Sequence, residues 1–260
     1  MTQIASASSI PRKSRHDIAQ MRVAGRIVAE VHALIREHLK PGVSTLDLDE
    51  LAEAHIRKSG AIPTFKGIYG FPATICASVN TEVVHGIPRA DCIFKEGDIF
   101  TVDVGATYRG LVADAAVTFP VGDVDPATKA LLEHTLEALD AAIEKMMPGN
   151  YLEDISAAVE DVCIKYGHGL VREYGGHSVG HKLHEEPFIH NHRTGNRGPE
   201  LKPNMTLAIE PMFTLGSGAV KTLGDDWTVV TADDTMSAHF EHTVLITESG
   251  PERLTVLAAV

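Results

Sequence analysis

The sequence predicts an α+β fold of two related halves, each laying a pair of helices over part of one antiparallel sheet. Three features predict it. Helical periodicity broken first by Pro-Gly and then by Gly occurs twice. Residues 99–119 read as two apolar strand runs about a Gly-containing turn. Beyond Gly167 the chain is a series of strand-like apolar runs. At 260 residues, 44% hydrophobic and 22% charged, it can bury the core such a fold needs.

Residues 1–13 contain Ser, Ala and Pro and are expected to form a poorly ordered arm, with residues 14–260 making a single domain. Ser14-Arg15-His16-Asp17 resembles a capping box. Ile18, Met21, Ile27, Val28, Val31, Leu34, Ile35 and Leu39 then follow at largely helical spacing until Pro41-Gly42. Ser44 with Asp47 opens a second helix through Leu48, Leu51, Ala52 and Ile56, ending at Gly60. A Gly- and aromatic-rich loop (Phe65, Gly67, Tyr69, Gly70, Phe71, Pro72) leads to a short strand, Ile75 to Asn80. After the 99–119 hairpin, Asp125-Pro126 caps a helix through Leu131, Leu132, Leu136, Leu139, Ile143 and Met146 to Pro148-Gly149. A fourth helix through Ile155, Val159, Val162 and Cys163 ends at Gly167. Shifting the chain by 107 residues superposes Pro41-Gly42 on Pro148-Gly149, Asp47 on Asp154 and Gly60 on Gly167, so the halves span about 14–120 and 121–260. A ligand site is expected where they meet.

Each run of the central hairpin carries one acid, Asp103 and Asp114, in an apolar setting. With the turn centred on Tyr108-Arg109 the two lie directly opposite, their Cβ atoms roughly 5 Å apart on one face. Facing like charges are destabilising unless a cation lies between them, and clustered carboxylates suit a pair of divalent ions that share a bridging carboxylate. The other resolution is a shifted register with one acid at the turn. In the second half, Glu210 (MTLAIEPMF) and Glu241 (SAHFEHTVLIT) are again single acids in apolar runs. Four such carboxylates ask for a common explanation, because a buried carboxylate without a partner is costly. With one of His177, His181 and His184 from VREYGGHSVGHKLHEEP they make a five-residue ligand set. Simpler readings exist for each. A histidine in a Gly-rich loop is often just a hydrogen-bonding residue, Glu210 before Pro211 could end a strand facing solvent, and Trp227 could be a core or rim residue. His184-Glu185-Glu186 is not the HExxH zinc motif, because its second histidine is missing.

The net charge of −12 argues against a protein that tracks a phosphate backbone. Cys76, Cys92 and Cys163 are odd in number and show no CxxC, which indicates neither a disulfide framework nor a thiolate zinc site and fits a reducing cytoplasm. No signal peptide and no membrane span is read.

In order and nearly end to end, the stretches MRVAGRIVAEV, NTEVVHGIP, FTVDVG with VADAAVTF, REYGGHSVG with LHEEP, AIEPM, DDWTVVTAD and FEHTVLIT resemble the type I methionine aminopeptidases, metal-dependent enzymes of the pita-bread fold, a pseudo-two-fold repeat of helix pairs over a curved antiparallel sheet. The resemblance implies metal ligands at Asp103, Asp114, His177, Glu210 and Glu241. Asp114 and Glu241 would bridge two divalent ions (Co, Mn, Fe or Zn), Asp103 would complete one site, and His177 with Glu210 the other. It implies substrate-contacting histidines at His85 and His184, with Glu210 shuttling the proton. A methionine pocket would be formed by Phe65, Ile68, Phe71, Cys76, Leu183 and Trp227. Phe65, Ile68 and Phe71 stand where such enzymes usually offer a cysteine and two tyrosines, Leu183 replaces an aromatic, and His181 has no expected counterpart. The 33 residues from His177 to Glu210 leave no room for the helical insertion of type II enzymes.

The implied function is removal of the N-terminal initiator methionine from nascent polypeptides whose second residue is small, by a monomer that makes at most transient contact with the ribosome and none with membrane. The rivals are an aminopeptidase P-like enzyme that cuts X-Pro bonds and a non-catalytic binding protein on the same fold. IEPM and FEHT favour the methionine enzyme over the first, and the complete ligand set argues against the second.

Overall fold

The computed structural model describes residues 10–257. Helix α1 (Arg15–His38) begins as expected. Ser14 Oγ accepts the Asp17 N–H at 3.1 Å while Asp17 accepts the Ser14 N–H at 3.0 Å, satisfying two amides that the helix itself leaves open. Helix α2 (Thr45–Lys58) repeats this box with Ser44 and Asp47. Helix α3 (Pro126–Glu144) starts on Asp125, which accepts from Ala127 and Thr128, and places its proline where no N–H is needed. Helix α4 (Leu152–Tyr166) opens with Asp154 accepting from Tyr151. The repeat is visible in the backbone: Gly42 and Gly149 both take φ 93°, and Gly60 and Gly167, which follow the ends of α2 and α4, take 76° and 72°.

Each helix pair covers its own sheet. Under α1 and α2, Ile27, Val28, Val31, Ile35, Leu48 and Ile56 pack with Phe94, Phe100, Val102 and Val104. Under α3 and α4, Leu131, Leu139, Ile143, Ile155 and Val159 pack with Leu207, Ile209, Phe213, Val244 and Ile246. Burying these faces is the main favourable term for an amphipathic helix. In the first half, Ile99–Tyr108 pairs along its length with Leu111–Pro120, and its other edge carries Ile75–Val79 and Ile62–Pro63. In the second, the antiparallel order is Gly250–Arg253, His242–Thr247, Thr206–Ile209, Gly176–Ser178, Glu185–Ile189. Two three-stranded sheets complete the described strands: Ser237–His239, Met212–Thr214, Gly169–Leu170, and Val220–Thr222, Val229–Thr231, Glu82–Val84.

Two expectations are corrected. The hairpin turns at Arg109-Gly110, not Tyr108-Arg109: both residues have positive φ (50° and 82°), the two-residue geometry in which glycine serves best at the second place. Asp114 therefore pairs with Gly105, and Asp103 with Ala116. The acids are diagonal rather than opposite, yet they share a face because the slip moves the register by two positions. The second correction concerns the arm. Residues 1–9 lie outside the described residues, but Ile10 is buried in the core under α3 and α4, Arg12 bridges to Met205, and Lys13 is 3% exposed.

Candidate metal centre

The hairpin meets the second half along a polar seam. Thr243 Oγ accepts the Asp114 N–H at 3.0 Å and lies 2.8 Å from Asp114 O and 2.9 Å from Asp114 Oδ1. The Glu241 N–H donates to Ala116 O at 2.8 Å, which sets Glu241 beside the Asp103 and Asp114 face. His177 comes from the strand Gly176–Ser178, and Glu210 follows the strand Thr206–Ile209. All five expected ligands line one cavity of about 490 Å³. Asp114, His177 and Glu241 form its tightest group, each offering an atom within 4.8 Å of the others. Asp103 and Glu210 lie outside that triad, although Glu210 Oε1 is 3.8 Å from His177 Nε2.

No described lysine or arginine lines this cavity, and the partners of Asp114 and Glu210 within ion-pair distance are histidines. Burial, then Asp114, pushes the Asp103 carboxyl well above its usual range. Burial and the neighbouring acids do the same to Glu210 and Glu241. Asp114 is raised to about 6 by burial, with the Thr243 hydroxyl and His184 pulling the other way. Burial also keeps the histidines neutral, lowering His177 and His85 to about 4. The His177 Nδ1 sits 3.0 Å from Ser178 O, a pure acceptor, so Nδ1 carries the proton and Nε2 presents its lone pair toward Asp114 Oδ2 at 3.5 Å. Asp103 Oδ1 is buried with no hydrogen-bond partner. An orphaned carboxylate oxygen, a bare imidazole nitrogen and a set of four carboxylates with one histidine fit divalent cations.

Around this polar floor the wall is apolar. Phe65, Phe71, Cys76 and Leu183 are buried, Ile68 and Trp227 pack against them, and all six line the cavity. Trp227 meets Phe71 edge-on at 5.1 Å. His184 stands exposed at the mouth, edge-on to His177 at 4.6 Å, and His85 lies against Tyr174 at 5.6 Å. His181 is not part of the lining; its exposed ring is 3.9 Å from Asp17. Sequence reasoning passed over His239, whose fully buried ring has no hydrogen-bond partner on either nitrogen and sits 3.5 Å from Glu210 Oε2. It also passed over Thr243. The signal was present but weak: His239, Glu241 and Thr243 are polar residues at a spacing of two, although His242 between them breaks the alternation.

A fold of paired helices over antiparallel sheets, with four buried acids and a histidine gathered beside an apolar pocket, defines a metal-dependent hydrolase of the pita-bread architecture. The model of metallopeptidase family M24 matches residues 19–248, and the chain belongs to that family. It is 49% identical over 243 residues to methionine aminopeptidase 1 of Bacillus subtilis (strain 168), covering 94% of this chain and 98% of that protein. The crystal structure of methionine aminopeptidase from Thermotoga maritima superposes with a TM-score of 0.94 at 44% identity, over 95% of this chain and 100% of that one. Prolidase from Pyrococcus furiosus shares the fold, with a TM-score of 0.75 at 23% identity over 95% of this chain and 66% of its own. Among the described residues no helix is long and apolar enough to cross a membrane.

Proposed function

We propose that this chain removes the N-terminal methionine from nascent polypeptides whose second residue is small, by hydrolysing the first peptide bond at a centre of two divalent ions. The observation that carries the reading is the joining, in one cavity, of the five ligand candidates and the apolar wall. Asp103, Asp114, His177, Glu210 and Glu241 hold the ions, for which Co, Mn, Fe and Zn all suit the donor set. Such ions, when bound, act as Lewis acids and lower the pKa of water. The side chains do the rest. Glu210, placed at the centre just after the strand Thr206–Ile209, takes a proton from the attacking water and returns it to the leaving amine. His184 and His85, held neutral, contact the substrate around the scissile peptide and donate to the oxygen on which charge develops. Phe65, Ile68, Phe71, Cys76, Leu183 and Trp227 receive the methionine side chain, whose thioether packs well against aromatic edges. The remaining parts of the reading are a single catalytic domain, a cytoplasmic monomer, and at most a transient ribosome contact.

The test is substrate choice by the metal-loaded protein. Met-Ala-Ser is cut, Met-Lys-Ser is resisted, and Ala-Pro-Ala is left intact. Comparable kcat/KM for Met-Ala-Ser and Met-Lys-Ser would sink the small-residue rule. Preference for Ala-Pro-Ala would replace the reading with X-Pro hydrolysis.

A further inference from the structure

We propose that Lys13 is a positioning residue: its buried ion pair with Glu185 fastens the turn of residues 180–185 and so holds His184 at the mouth of the cavity. The proposal rests on the role given to His184 above, but its geometry is independent. Lys13 Nζ donates to Glu185 Oε2 at 2.8 Å, with the lysine side chain 1% and the glutamate 12% exposed. The other oxygen, Glu185 Oε1, accepts the N–H groups of His181 at 2.7 Å and Lys182 at 3.2 Å. One carboxylate therefore ties the start of the turn, its own end and the N-terminal segment together. Glu185 directly follows His184 and itself lines the cavity. A Cβ on Gly180 would overlap the Lys13 side chain, so glycine there is what lets the lysine run beneath the turn.

The segment that supplies Lys13 is itself anchored. Ile10 lies in the core under α3 and α4. Arg12 Nε donates to Pro203 O at 2.8 Å, and the Lys13 N–H donates to Asn204 O at 2.6 Å. His184 has no such anchor. Among the described residues no hydrogen bond holds its ring, whose close partner is the His177 ring, nearly perpendicular at 4.6 Å. Its place is set by the backbone that carries it. There the Val112 N–H donates to Gly180 O at 2.7 Å and the Gly180 N–H to Lys182 O at 3.0 Å, and Glu185 is the side chain that ties the turn to the N-terminal segment. A charge as shielded as that of Lys13 is tolerated only with its partner, so loss of either side chain leaves the other uncompensated and frees the turn. The nearby Asp17–His181 pair, 3.9 Å apart with the histidine exposed, is too weak to substitute.

The experiment uses the full-length, metal-loaded protein with Met-Ala-Ser as substrate. Lys13→Met should lower kcat about tenfold to a hundredfold while KM stays within about threefold, as expected for a displaced catalytic group. Metal content should be unchanged, and Lys13→Arg should restore most of the rate. Because Lys13 acts through His184, Lys13→Met combined with His184→Ala should be no slower than His184→Ala alone. Amide hydrogen exchange of residues 180–185 should quicken in Lys13→Met. Wild-type kcat with wild-type exchange would overturn the proposal, as would a double variant slowed by the product of the two single effects. If Lys13→Met does not fold, Glu185→Gln carries the same expectations. If the wild-type protein fails to cut methionyl peptides, the functional reading falls, and exchange alone decides: quickened exchange supports the strap and unchanged exchange rejects it.

Discussion

At the scale of single residues, the three histidines of the YGGHSVGHKLHEEP stretch differ by what each ring touches. His177 is fixed by its Nδ1 bond to Ser178 O and turns Nε2 to the acids, His184 stands free at the mouth, and His181 faces solvent near Asp17. Their replacements should separate accordingly. His177→Ala should weaken metal binding by about tenfold or more, the scale already seen when only an outer partner of a ligand is lost. His184→Ala and His85→Ala should leave the metal stoichiometry intact and cut kcat on the order of a hundredfold or more, as for loss of a donor to developing charge. His181→Ala should change neither by more than about twofold, because it touches nothing buried. Metal titration by calorimetry alongside steady-state kinetics reads all four variants. Loss of metal in His181→Ala would overturn the ligand assignment. The histidine motif alone left these roles open, since spacing in a Gly-rich loop does not say which ring points inward.

At the scale of the element, the hairpin concentrates the electrostatic problem. Burial raises Asp114 from 3.8 to about 6, so in metal-free protein its ionised form opposes folding at neutral pH. That penalty is present above the folded-state pKa and fades as pH falls through 6 toward 3.8. Asp114→Asn removes it while keeping an oxygen for Thr243. In chelator at pH 7 the variant should melt no lower than wild type and up to several degrees higher, a limit set by about 3 kcal/mol for a shift of this size. The gap should close by about pH 4, where wild-type Asp114 is also neutral. The neutral buried His177, His85 and His239 act in the opposite sense, losing stability as pH falls below 6.5, but they are common to both proteins and cancel. With saturating metal the order should reverse and the variant should be inactive. Paired thermal melts across pH, with and without chelator, measure this. Clear destabilisation of Asp114→Asn in chelator at pH 7 would mean that the charge on Asp114 does not oppose folding and would overturn this electrostatic account of the hairpin.

Across the whole molecule, the two helix-covered halves are joined where Thr243 grips Asp114 and where Thr118 Oγ donates to His239 O at 2.7 Å. Thr243→Val keeps the shape but strands a buried N–H and a carboxylate oxygen, a cost of about 1–3 kcal/mol. It should lower Tm by roughly 2–4 °C per kcal/mol for a chain of this size. The loss should appear in chelator as well as with metal, since the seam exists before the ions bind. An unchanged Tm in chelator would show that the halves do not depend on this contact. The four helices, the caps of the first three and the doubled Pro-Gly punctuation were legible in the sequence, because capping and helical periodicity act within a few residues. So were Asp103, Asp114, Glu210 and Glu241, each conspicuous as an acid inside an apolar run. The hairpin register was not, because Tyr108-Arg109 and Arg109-Gly110 both lie in a plausible turn and only the backbone geometry selects between them. Nor were His239, or Lys13 in what read as a loose arm. Their environment is made by segments distant in the chain, 172 residues away for Lys13 and Glu185. Local sequence thus determined the elements and the unusual acids, while tertiary packing alone decided which groups lose water and which partners they then meet.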